Sequence, residues 1–221
     1  MRIPILHETP KWLAVNKPGG LIVEENPFES PTVESLVFDY LKQAKPRPFL
    51  GIVHRLDRVT SGVLVMAKKK STLRNLNEQF AQRRVRKTYL AVVETAPEIR
   101  NGELQHWLLK DQKNKKAIIY NHNQKGAKKV KLKYKTLEQK ESRVLLEIEP
   151  LTGKFHQIRA QLASIGCPVA GDEKYGSKIP PMGRSIALHA WKLQLLDPLT
   201  NEVVNLQAPT PGELYWDGLE R

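Results

Sequence analysis

Short apolar runs set off by polar turns dominate the chain. Trp12 to Asn16, Ile52-Val53, Val63 to Ala67, Lys87 to Val93, Val144 to Pro150, Leu188 to Leu195 and Glu202 to Leu206 are rich in β-branched and aliphatic residues and predict strands. Met1 to Glu8 predicts another, and Leu21-Ile22-Val23 resumes one after the breaker Lys17-Pro18-Gly19-Gly20. Ala117 to Tyr120 and the alternating Lys129 to Lys135 read as the two strands of a hairpin, with its turn near Asn121 to Gln124 and Gly126. Helical spacing occurs three times. Val33, Leu36, Val37, Tyr40 and Leu41 share a face behind Ser30 as N-cap and Pro31 as first helical residue. Leu73, Leu76 and Phe80 follow Ser71 as cap, while Phe155, Ile158, Leu162 and Ile165 precede the terminator Gly166. The mixture predicts an α+β fold.

Composition narrows the partner. The chain has 221 residues, 40% of them hydrophobic, enough for one large domain or two small ones. Lys and Arg number 36 against 23 Asp and Glu, a formal net charge of +13. Such an excess points to a polyanion, most simply nucleic acid. No strongly amphipathic basic helix suggests a membrane surface, and no apolar run approaches the roughly 20 residues a membrane span needs. No signal-peptide pattern precedes Trp12. Cys167 is the only cysteine, which excludes an intrachain disulfide and a cysteine zinc site and suits a reducing, cytoplasmic setting. His189 has no second His or Cys nearby and reads as structural. With no phosphate loop or dinucleotide fingerprint either, no metal and no cofactor are expected.

The basic residues gather in two places. Arg83-Arg84-Val85-Arg86-Lys87 is a solvated helix end, an RNA footprint, or both. Lys110 to Lys135 contains ten lysines and one Asp. Those lysines either guard a sheet edge or touch phosphates. Their number and lack of acidic neighbours favour phosphates, with Lys128, Lys129, Lys131 and Lys133 as candidates.

The stretch Gly51 to Lys69 concentrates the chemistry. Between its two apolar runs lie His54, Arg55, Asp57, Arg58, Thr60, Ser61 and Gly62. A turn Asp often does no more than cap a loop N–H. A carboxylate flanked by arginines on a turn between buried strands is also how a catalytic group is presented.

His54-Arg55-Leu56-Asp57 followed by Thr60-Ser61-Gly62 resembles the central motif of the pseudouridine synthases, in the RluA family that modifies ribosomal and transfer RNA without guide RNA. Four further stretches are similar to that family: the Lys17-Pro18 turn; Lys87-Thr88-Tyr89-Leu90-Ala91; Thr152-Gly153-Lys154-Phe155-His156-Gln157-Ile158-Arg159; and Gly171-Asp172 with Tyr175-Gly176. The resemblance covers about Trp12 to Pro209. Two positions depart from the pattern: Lys154 replaces an arginine and Gln161 a histidine. Lys154 keeps the charge and loses bidentate geometry.

The resemblance implies a bent, mainly antiparallel mixed sheet flanked by helices, with the catalytic cleft across it. It implies one catalytic domain over residues 1–221, lacking the small N-terminal RNA-binding (S4) domain of many relatives. Asp57 is then the catalytic carboxylate and Arg159 its cationic partner. Tyr89 stacks on the target uracil, although by itself it reads as a core tyrosine. Ile158 and Leu162 supply an apolar lid, Lys154 contacts substrate, and Arg55 fills the gap left by the flipped nucleotide. Lys17, Arg58, Arg83, Arg84 and Lys87 join the lysines above as RNA contacts. The expected activity is uridine isomerisation in ribosomal or transfer RNA by a monomer needing no guide RNA or protein partner. The rivals are a catalytically silent RNA-binding protein of the same fold, a two-carboxylate glycosidase, and a basic ribosome-associated structural protein.

Overall fold

The computed structural model describes residues 2–140, 143–212 and 214–218. Its strands are β1 (Ile5–Glu8), β2 (Trp12–Lys17), β3 (Gly51–Ile52), β4 (Ser61–Ala67), β5 (Arg86–Val93), β6 (Asn101–Asp111), β7 (Lys116–Tyr120), β8 (Lys128–Lys140), β9 (Arg143–Pro150), β10 (Leu188–Leu196) and β11 (Val203–Gln207). Its helices are α1 (Val33–Lys42), α2 (Lys70–Ala81) and α3 (Gln157–Ser164). Two compact units divide the chain: Met1–Lys87 with Ala190–Pro211, and Thr88–His189 with Gly212–Arg221. Among the described residues no helix is long and apolar enough to cross a membrane.

In the first unit the strand order is β1-β2-β4-β10, with β3 paired to β4 and β11 to β10. Trp12, Ala14, Val63, Val65 and Ala67 alternate onto one face, where they pack with Leu193, Leu195, Leu206 and α2's Leu76. Leu13, Val15, Leu64 and Met66, of opposite parity, are also fully buried. β2 and β4 are therefore covered on both faces, which explains why they read as continuous apolar runs. Trp12 anchors this core polar-side as well, its indole N–H donating to Asp197 at 2.9 Å.

Three expectations shift here. Leu21-Ile22-Val23 is not a strand: both edges of β2 are taken, by β1 and β4. The carbonyls of Ile22 and Val23 instead accept the first N–H groups of α1, from Val33 at 2.9 Å and Glu34 at 3.0 Å. The cap of α1 is Thr32, not Ser30, because Thr32 and Ser35 form a reciprocal capping box. α2 begins at Lys70 with Lys69 as N-cap and no side-chain cap bond, so Ser71 lies inside the helix.

The second unit is an antiparallel sheet in the order β5-β9-β8-β6-β7. Here the expected hairpin is corrected. β7 and β8 do not pair with each other; both pair with β6, which lies between them. α3 covers one face of β6 to β8, packing Ala160 with Leu108, Ala117, Val130 and Tyr175. It ends in a Schellman motif. Gly166 sits at φ 74°, Cys167 N–H reaches Leu162 O at 3.0 Å, and Gly166 N–H reaches Ala163 O at 3.1 Å.

Candidate active site

Asp57 sits half-buried on the loop between β3 and β4. The loop is fixed from below by Lys17, at the end of β2, which is 0% exposed. Its Nζ donates to the carbonyls of Pro18 (2.9 Å), Arg58 (3.0 Å) and Thr60 (2.8 Å), which uses all three donors of an ammonium. Gly20 N–H adds a bond to Arg58 O at 2.8 Å, and Thr60 N–H closes the turn on Asp57 O at 3.0 Å. Burial pushes the Lys17 pKa down to about 7, while the charge of Asp57 pulls it back up. Lys17 is thus a loop clamp. The expected phosphate contact is corrected, because a fully buried ammonium has no surface to offer RNA.

His54 holds the other end of the loop. Val65 N–H donates to its Nε2 at 3.1 Å, and the ring stacks on Phe80 at 4.7 Å. Burial, with Lys87's charge adding to it, lowers the His54 pKa to about 3. Beyond the loop, Gly62 has φ 114°, and a Cβ there would lie 2.2 Å from the carbonyl oxygen of Ala190. Only glycine admits this approach of β4 to β10. Arg55 is exposed and paired with Glu24 at 2.8 Å. Side chains 69% and 47% exposed make that pair worth at most about 1 kcal/mol, so Arg55 is easily released to a ligand. Arg58 is half-buried and paired with Glu29.

In the second unit, Tyr89 lies half-buried on β5 opposite Ile148. Arg159 on α3 makes a two-pronged ion pair with Asp172, at 2.6 Å and 2.8 Å, with side chains only 5% and 1% exposed. The guanidinium also lies 5.1 Å from the Tyr175 ring. Tyr175's hydroxyl accepts Ala117 N–H at 2.7 Å and shares a second hydrogen bond with His156 Nδ1 at 3.0 Å. His156, at φ 51°, stacks on Phe155 at 3.7 Å. Burial first, then Arg159's charge, lowers its pKa to about 3.

Ile158 is 7% exposed and Leu162 0%. Leu162 is a core residue with no surface left for a lid, which corrects that expectation. Lys154 is exposed, and its backbone N–H donates to Gln157 Oε1 at 3.1 Å. The departure at Gln161 has a structural explanation. Its amide accepts Gln157 Nε2 at 2.9 Å and donates to His106 Nδ1 at 3.0 Å and Leu104 O at 3.2 Å, tying α3 to β6.

The lysines of β8 are less open than expected. Lys131 pairs with Glu103 at 2.8 Å. Lys133 stands opposite Glu103 on one side and Glu149 on the other, and Lys135 stands opposite Glu147. Lys128 and Lys129 are exposed, as are Arg83 and Arg84 just after α2, while Lys87 is half-buried.

The sequence reading missed Asp172, His156 and Gln157 as parts of the α3 network. The Gly171-Asp172 motif was the one signal available for Asp172.

The two half-buried histidines predict an acid weakness. Their folded pKa values lie below the 6.5 of the unfolded chain, so the unfolded state binds more protons as pH falls from 6.5 toward 3. Their stabilising effect is fully present above pH 6.5 and is lost across that window. Melting temperature is expected to fall across it, and His54→Gln to flatten the fall; an equally steep curve in the variant would remove His54 from this account.

Comparison with known proteins adds the following. A family model described as RNA pseudouridylate synthase matches residues 11–164. The ribosomal large subunit pseudouridine synthase C of Escherichia coli O157:H7 is 35% identical over 226 residues, covering 98% of this chain and 68% of that protein. The protein of the same name from Pasteurella multocida is 34% identical over 217 residues, covering 95% and 65%. The chain thus spans about two thirds of the length of these curated relatives. Among solved structures, Human RNA Pseudouridylate Synthase Domain Containing 4 superposes with a TM-score of 0.80 at 25% identity, covering 98% of this chain and 91% of that one. Human RNA Pseudouridylate Synthase Domain Containing 1 shares the fold, with a TM-score of 0.78 at 24% identity over 99% and 88%.

Proposed function

The chain belongs to the RNA pseudouridylate synthase family, with the α+β fold of that family, and from this we propose that it isomerises uridine to pseudouridine in RNA. Ribosomal RNA is the first substrate to test, because the curated relatives carry ribosomal large subunit in their names; transfer RNA is the second. The reaction breaks the bond from uracil N1 to ribose C1′ and forms one from C1′ to C5. C5 loses a proton and N1 gains one, so oxidation state is unchanged and no redox partner is needed.

Asp57 is the carboxylate that acts on the nucleotide, by attack on C1′ or C6 or by removing a ribose proton. Tyr89 stacks on the uracil and assists proton removal at C5. Arg159 supplies the positive charge that keeps a carboxylate ionised in a closed site. Arg55, weakly held by Glu24, fills the space of the extruded base. Residues 1–221 act as one catalytic domain, as a cytoplasmic monomer without guide RNA.

The observation that supports this most is the clamped loop. A buried lysine that spends its three N–H groups on the backbone around Asp57 fixes that carboxylate's position, and fixed position is what such catalysis requires. The test is direct. Unmodified ribosomal and transfer RNA are incubated with the protein, and pseudouridine is measured in each. Pseudouridine at defined positions is expected. RNA binding without pseudouridine in either RNA would instead identify a silent RNA-binding protein of this fold.

A further inference from the structure

The sheet of the second unit has one face covered by α3 and one that is not. Leu108, Ala117 and Val130 face α3. Side chains alternate along strands, so Trp107, Ile118, Tyr120 and Lys129 lie on the opposite face. There Trp107 of β6 is flanked directly by Tyr120 of β7 and Lys129 of β8, forming one row across three strands. The next row sets Leu109 beside Ile118, which is 37% exposed. Trp107 and Tyr120 are half-buried and Lys129 is exposed.

Charge separates this end of the face from the rest. Farther along β8, lysines meet Glu103, Glu147 and Glu149. Around the Trp107 row, Lys129 has no acidic partner among the described residues. The nearby Asp111 is engaged in its own turn, accepting Asn114's backbone and side-chain N–H groups at 3.0 Å and 2.7 Å. Two adjacent, partly open aromatic rings beside an uncompensated lysine on an uncovered sheet face form a stacking surface with a phosphate contact.

We propose that this face is a second RNA-binding surface, which takes a single-stranded segment of the substrate: bases stack on Trp107 and Tyr120, and phosphates contact Lys129. The proposal rests on the RNA-modifying reading above and adds where RNA is held outside the catalytic loop. The excess of positive charge commits the occupant to RNA rather than to a protein or a second copy of this chain. Stacking reads no bases, so binding here tolerates sequence.

Tryptophan fluorescence provides the test. Trp12, Trp191 and Trp216 are 0%, 8% and 0% exposed, which leaves Trp107 as the open reporter. A short oligouridylate is titrated into the full chain. Saturable quenching is expected. Tyr120→Leu should weaken binding about tenfold, within the range for loss of one stacked base. Lys129→Gln, on an exposed side chain that carries no folding risk, should weaken it less and lower the salt slope by about 0.7 unit, the single-strand value for one contact. No quenching, or unchanged affinity and salt slope in both variants, would overturn the proposal. So would a concentration-dependent dimer that shields Trp107 from acrylamide. Pseudouridine formation by the wild type is measured separately, so failure of the stacking surface and failure of the enzymatic reading give different results.

Discussion

Asp57→Asn is expected to abolish pseudouridine formation while leaving the fold and RNA affinity near wild type. Asparagine keeps the side-chain shape and the turn bond, because Thr60 N–H goes to the backbone oxygen of residue 57. The Lys17 clamp also survives, since its three acceptors are backbone carbonyls. What disappears is the negative charge, which is the chemically competent form in every route open to this residue. Removing a positioned acid–base group typically costs about 10²- to 10⁴-fold, and removing a covalent one more. Single-turnover assays at saturating RNA, paired with melting curves, separate chemistry from folding. Activity within about tenfold of wild type would mean that another group performs the chemistry.

The second large effect concerns Arg159, where stability and catalysis must be separated. Arg159→Met alone leaves Asp172 buried without its partner, and breaking a buried pair costs about 3–5 kcal/mol. A dead single variant therefore says little about catalysis. The double variant Arg159→Met/Asp172→Leu removes both charges and fills the space with apolar atoms, which restores much of the lost stability. If Arg159 serves the reaction, this well-folded double variant remains inactive. Recovery of activity along with stability would reduce Arg159 to a structural role.

How much of this was legible in the sequence depends on whether the controlling interaction was local. β4, β5, β9 and β10 were readable because each carries its own apolar run. The helical stripe of α2 was readable for the same reason. The segment Leu21 to Val23 looked just as apolar, yet its outcome was decided by which strand edges were already occupied. β6 was missed because Asn101 to Asp111 alternates weakly, with charges and a histidine among its apolar residues. Missing it turned β7 and β8 into a false hairpin, and hid the glutamates that face the β8 lysines. At the site, Asp57 and Arg159 stood out through their motifs. Lys17 was visible but misread, since nothing local shows that a turn lysine is buried. The Arg159–Asp172 pair links residues 13 apart through a loop, and only the fold reveals that its two ends meet.

The first unit is assembled from two pieces of chain, with residues 1–87 completed by residues 190–211. During synthesis, β4 and the Asp57 loop therefore emerge long before the strands that finish their core. Until Leu193, Leu195, Leu206 and Ala208 arrive, Trp12, Val63 and Val65 have an incomplete surface to bury against. Gly62 likewise waits for Ala190, against which β4 is shaped. A nascent chain stopped at residue 189 would carry the whole central motif and still lack a functional loop. A frameshift upstream of residue 190, far from Asp57 in sequence, would leave the Asp57 loop without the strands that complete its core.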